Sequence, residues 1–199
     1  MKLRLRLPLL LALIATLGML ATDLLAQDLH PSRRASPMAQ ARTHVGDAYV
    51  SVVYSRPYKR DRDNIFGSKD DGAIIPYGEV WRTGANEATE FTTTGDLMVG
   101  GKKLPAGTYS LFTVPNKDSW SIHFNSALGL WGTIKFTGPG EYEPGYKADN
   151  DVAVVEAKPS TLEEEVDQFT IKFRNQDDGS VHMILEWITT EVRVPLTAG

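Results

Sequence analysis

The chain has 199 residues, with 25 acidic side chains against 21 Lys or Arg, four histidines, no cysteine and a formal charge of −4. The acidic balance excludes a general nucleic-acid binder, which needs a basic surface. The lack of cysteine excludes disulfides, thiolate metal sites and cysteine nucleophiles.

Lys2, Arg4 and Arg6 precede an almost unbroken apolar run from Leu7 to Leu20. A basic start and a short apolar stretch are the pattern of a secretory signal peptide. The run falls short of the ~20 residues that a membrane span needs. Residues 1–26 are read as the signal, cut after Ala26, with Ala21 as the alternative because Leu24 breaks the small-residue rule. Cleavage would leave a chain of about −6, periplasmic or secreted and free of the membrane. Residues 27–42, "QDLHPSRRASPMAQAR", are polar and contain two prolines, and read as a flexible leader. That leaves 43–197 as a single domain, long enough to bury a full-sized core.

Beyond the leader the hydrophobic period is two. "AYVSVVYS" (48–55) is β-branched and aromatic, as a strand should be, and "EFTTT" (90–94) is another. "LMVGGKKL" sets Gly100 and Gly101 between two short strands, a hairpin signal. "LPAGTYSLFTVP" (104–115) and "SWSIHFN" (119–125) flank the turn "PNKD" and are expected to pair. After a Gly- and Pro-rich excursion comes "DVAVVEAKP" (151–159). "DQFTIKFRN" (167–175) alternates cleanly, and "SVHMILEW" (180–187) and "EVRVPL" (191–196) close a meander. "STLEEEVDQF" (160–169) resembles a capping pattern and is expected to hold one short helical turn. Strands 50–54 and 109–114 are apolar on both faces, so they should lie centrally. The predicted class is all-β: an antiparallel, jelly-roll-like β-sandwich with at most a short helical turn.

"YSRP" (54–57), "IFG" (65–67), "PYGEVWRTGANEAT" (76–89), "GGKKLPAGTYSLFTVP" (100–115), "WSIHFN" (120–125), "WG" (131–132) and "LEW" (185–187) follow one another in this order. Together they resemble the bacterial family called domain of unknown function 2911, over roughly residues 36–196. The resemblance implies an exported, mostly β domain and assigns no activity and no catalytic residue. The loop "KRDRDNIFGSKDDGAI" (59–74) is longer and more charged than the family pattern leads one to expect, and His123 and His182 stand where apolar or small polar residues are expected.

The densest polar stretch is "VWRTGANEATE" (80–90). Trp81 is expected to anchor it in the core, and Gly84 to let the chain bend. Arg56 and Arg82, beside Asn86 and Glu87, make a candidate clamp for a carboxylate or other anion, because guanidinium grips planar anions in a fork. Tyr77 or Trp131 would supply a stacking wall. The competing reading pairs Arg82 or Arg56 with Glu87 inside a structural corner, with Asn86 capping backbone groups. In the excursion "ALGLWGTIKFTGPGEYEPGYK" (127–147), exposed aromatics would stack on a ligand; otherwise Trp131 plugs one end of the sandwich.

His123, His182 and Glu186 would form a zinc-type trio if their strands were neighbours. No HExxH, GxSxG or phosphate-binding glycine loop is present, and no cofactor or metal is expected. The reading that follows is a cell-envelope module for a small anionic, sugar or peptide ligand, contacted by Arg56, Tyr77, Arg82, Asn86, Glu87 and Trp131. The alternatives are a hydrolase using Glu87 with His123, or a purely structural domain.

Overall fold

Two layers of strands bury their facing side chains in one shared core. The computed structural model describes residues 33–199, and the expected signal segment lies outside the described residues. In chain order the strands are β1 (Met38–Val45), β2 (Ala48–Ser55), β3 (Phe66–Gly67), β4 (Ile75–Pro76), β5 (Thr89–Thr93), β6 (Leu97–Val99), β7 (Lys102–Leu104), β8 (Gly107–Val114), β9 (Trp120–Asn125), β10 (Ile134–Gly138), β11 (Glu141–Pro144), β12 (Asp151–Ala157), β13 (Ser160–Asn175) and β14 (Val181–Ala198). The larger sheet has the order β1-β2-β5-β8-β9-β12 and is antiparallel throughout. The second has the order β13-β14-β6-β7. Val50, Val52, Phe91, Leu111, Ile122 and Phe124 of the first sheet share a core cluster with Leu97, Val99, Met183, Leu185, Val194 and Leu196 of the second. Burial of these side chains, at roughly 25 cal/mol per Å² of apolar surface, is the main driving force in a chain without disulfides.

One tyrosine links the layers. β13 is an edge strand, so the outward N–H and C=O of Ile171 need a partner. The Tyr54 hydroxyl supplies both: it donates to the Ile171 carbonyl at 3.1 Å and accepts from the Ile171 amide at 2.9 Å.

The expectation that β8 lies centrally holds. Tyr109 through Thr113 are all buried, because the outer face carries a second cluster. Phe112 packs there with Ala88 and Leu130, and Val80, Ala127 and Tyr146 lean against them. Three expectations change. Residues 38–42 are not leader: β1 begins at Met38 and pairs with β2 from Met38↔Ser55 onward, with Ala39 and Ala41 against the core. Alanines give weak hydrophobic contrast, and the ladder, not burial, fixes this strand. Residues 160–169 are strand instead of helical turn, because β14 extends far enough to offer Thr161 and Val166 backbone partners at Thr190 and Ile188. A short 3-10 turn lies elsewhere, at Ala148–Asn150. The two C-terminal strands are one strand, β14, with Ile188 in the left-handed region at φ 57°.

Candidate functional site

The bend after β4 is pinned from both sides. Trp81 exchanges backbone hydrogen bonds with Thr113 of β8 at 2.7 and 2.9 Å, and its indole N–H donates to the Gly84 carbonyl at 2.9 Å. The indole stacks on Trp187 at 5.9 Å and 18° and meets Phe66, Trp120 and Phe169 edge-on, which bears out the core anchor. Gly84 passes so close to β2 that a Cβ would lie 2.8 Å from the Ser55 carbonyl oxygen. A side chain there would push the two backbones apart.

The polar side chains divide. Arg82 donates from Nη1 to the Asn86 carbonyl at 2.7 Å, and its guanidinium lies against Gly132. Burial alone lowers its pKa, since desolvation disfavours the charged form. Asn86, at φ 58°, donates from Nδ2 to the Ser36 carbonyl and to Ser55 Oγ, each at 3.2 Å. Arg56 is directed elsewhere: Nε donates to the Phe169 carbonyl at 3.0 Å and Nη2 to Thr170 Oγ1 at 2.7 Å. The expected clamp of Arg56 with Arg82 therefore does not form, because the Pro57 turn carries Arg56 onto β13.

Two cavities flank the bend. The first, about 450 Å³, is lined by Arg60, Arg62, Arg82, Asn86, Trp81 and Trp187 among others, and among the described residues no Asp or Glu lines it. The second, about 300 Å³, is lined by Glu87, Glu90, Trp131 and Phe136 with Tyr54 and Leu130. The structure thus parts the expected set. Arg82 and Asn86 face one cavity, Glu87 and Trp131 the other, and Tyr77 and Arg56 line neither. Trp131 does not plug the sandwich: it is 39% exposed, and Phe136 at 56% and Tyr142 at 67% stand out with it.

Arg60 and Arg62 were hidden in the sequence by the alternating charges of "KRDRD", which reads as a solvated loop. Arg60 donates to the Ala35 carbonyl at 3.2 Å. Arg62 is held by the Lys59 carbonyl at 3.0 Å and by the Tyr58 carbonyl, with its guanidinium 5.9 Å from the centre of the Trp187 ring. Backbone strain collects at the same place. Among the described residues the non-glycine positions with positive φ are Arg60, Thr83, Asn86 and Ile188. Arg60 and Asn86 line the first cavity, and Thr83 and Ile188 adjoin the lining residues Arg82, Gly84 and Trp187. Such conformations cost about 1–3 kcal/mol each and gather at binding sites.

A family model described as "Protein of unknown function (DUF2911)" matches residues 36–196. The chain belongs to this family. No curated protein and no solved structure matches the chain. The DUF2911 span opens at Ser36, whose carbonyl receives Asn86, and takes in the bend and both cavities.

The histidine readings change. β9 lies between β8 and β12, while His182 and Glu186 sit on β14 in the other sheet, so the zinc-type trio does not assemble. Glu186 instead meets Lys172 Nζ at 2.5 Å. Among the described residues no group of three or more His, Cys, Asp or Glu is placed to hold a metal ion. The ring nitrogens of His123 engage Ser121, Asp151 and Tyr146, which leaves the pairing with Glu87 without support.

Proposed function

We propose that this DUF2911 domain is an exported binding module for a small anion with a flat apolar body, taken up in the arginine-lined cavity. The observation that carries the reading is the charge of the lining: Arg60, Arg62 and Arg82, with no carboxylate among the described residues that line the cavity. Each guanidinium has five N–H donors and no acceptor, and among the described residues one is taken from Arg60, two from Arg62 and one from Arg82. The remaining donors suit a carboxylate or phosphate group in the fork geometry. Trp81 and Trp187 form an apolar wall for a flat ring, and a cavity of about 450 Å³ falls within the usual range for small ligands. A sugar would need acceptors as well as donors, and the wall is richer in donors.

The test is a titration with aryl carboxylates and aryl phosphates, read by tryptophan fluorescence and by thermal shift. Binding to the native state raises its apparent stability. Arg82→Gln is expected to weaken binding about 10- to 100-fold, the worth of a charge-assisted hydrogen bond. Uncharged aryl amides that bind as well as the anions, or anions that move neither signal, would refute the reading.

A further inference from the structure

A different face of the molecule carries a second arrangement, in neither cavity. On β9, Trp120, Ile122 and Phe124 enter the core, so Ser121 and His123 stand together on the outer face. Ser121 Oγ lies 2.8 Å from His123 Nε2, and His123 Nδ1 lies 2.7 Å from Asp151 Oδ2. We propose that Ser121, His123 and Asp151 form a catalytic site for acyl transfer from small neutral esters, with Ser121 as the nucleophile.

The order of atoms supports the roles. A carboxylate only accepts, so Asp151 holds the imidazole proton on Nδ1. Nε2 then presents its lone pair to the Ser121 hydroxyl, as a general base must. Asp151 is oriented in turn: Asn125 Nδ2, fully buried, donates to Oδ1 at 2.7 Å, and the Tyr146 hydroxyl donates to Oδ2 at 3.0 Å. The register shift between Asp151 and Ala153 sets Asp151 opposite Asn125, a use of a bulge to re-aim a side chain. The His123 and Asp151 side chains are 13% and 7% exposed, so their hydrogen bond is shielded from water. Burial raises the Tyr146 pKa, and the bond to Asp151 raises it further, so Tyr146 stays a donor and does not compete as a base.

The surroundings select the substrate. β9 is paired on both sides, and its ladders occupy the backbone N–H groups that an oxyanion would want. One such donor is worth about 10²–10³ in rate, so the site suits activated esters and not amides. Glu156, the register partner of Ser121 on β12, repels anionic substrates. Val152 and Val154, exposed along β12, offer an apolar strip for the acyl chain. In the reaction Oγ attacks the acyl carbon while its proton moves to Nε2. The ester C–O bond then breaks, and the leaving alcohol takes that proton. Water repeats the sequence, releasing the acid and restoring Ser121.

A fluorophosphonate is the trapping probe: its P–F bond breaks, an Oγ–P bond forms, and fluoride leaves with the proton. Peptide mass spectrometry of the native protein is expected to place one adduct on Ser121. His123→Gln, shown to be folded by thermal unfolding, should react at least ~100-fold more slowly, the usual worth of a general base. Protein unfolded in urea should give no such adduct, and Ser121→Ala should lose the native protein's hydrolysis of 4-nitrophenyl acetate. The proposal is overturned if no adduct forms, if it forms on another residue, or if Ser121 reacts as fast in His123→Gln or in urea. Unchanged 4-nitrophenyl acetate hydrolysis in Ser121→Ala overturns it as well.

Discussion

Gly129 and Gly132 share one loop and nearly the same positive φ, 68° and 66°, yet alanine should affect them differently. A Cβ on Gly129 would meet nothing within 4 Å. On Gly132 it would lie 2.7 Å from Arg82 Cζ and 2.9 Å from both Nη atoms. Either alanine costs about 1–2 kcal/mol for the left-handed backbone. At Gly132 the guanidinium must also swing away and give up its bond to the Asn86 carbonyl. A hydrogen bond to a charged group is worth about 1.5–3 kcal/mol. Gly129→Ala should therefore lose about 1–2 kcal/mol and Gly132→Ala about 2.5–5 kcal/mol, at about 2–4 °C of Tm per kcal/mol for a domain of this size. Urea unfolding is the assay, since guanidinium chloride would screen the charge under study. Gly132→Ala should also weaken anion binding, and Gly129→Ala should not. Equal losses in the two variants would refute the placement of Arg82 on Gly132.

Tyr54→Phe removes the hydroxyl that serves both backbone groups of Ile171. The loss should be about 2–4 kcal/mol in urea unfolding, because each buried group left unsatisfied costs about 1–3 kcal/mol; a loss under about 1 kcal/mol would mean that the edge of β13 finds another partner. Burial is the first cause of raised pKa values at Tyr54, Tyr109 and Tyr146, all above the ordinary 10.0. Below pH 10 both states hold these protons and stability is unaffected; above it the unfolded chain releases them first, so stability falls as pH rises toward the folded values. Unfolding free energies that stay level from about pH 9 to about pH 11 would contradict this burial.

The layers were legible because strand alternation is local. The buried residues of β5 and β12 and the apolar residues of β9 recur at every second position, and the Gly100-Gly101 and "PNKD" turns mark the β6–β7 and β8–β9 hairpins. β1 was not legible, since Ala39 and Ala41 give little apolar contrast within a polar stretch, and the hairpin ladder to β2 decides the matter. The anchor role of Trp81 was readable from its setting. The partners of Arg56 were not: Phe169 and Thr170 are more than a hundred positions away. The same holds for Arg60 and Arg62: their neighbouring acids suggested a solvated loop, while the fold ties exposed Arg60 to the Ala35 carbonyl and lays half-buried Arg62 over the Trp187 ring. His123 and Ser121 share a face by strand period alone, but Asp151 joins them only through the β12 bulge.

The bend invites a choice between a structural corner and a binding site, and under the anion-binding proposal the same bonds serve both. Asn86 is committed internally, to Ser36 and Ser55, and so holds its carbonyl where Arg82 needs an acceptor. Among the described residues that one acceptor orients a partly buried guanidinium, whose other donors serve the proposed anion. A fully satisfied arginine would be a fastener and nothing more, and an unheld one would drift into solvent and lose its desolvated strength. Thr83 and Asn86 hold left-handed backbones on either side of Gly84, a strain that persists only because Trp81 and β8 over-determine the chain path. On the anion-binding proposal the structural bonds pre-organise the cavity wall, and loss of the Asn86 contacts should loosen the fold and the proposed anion site together.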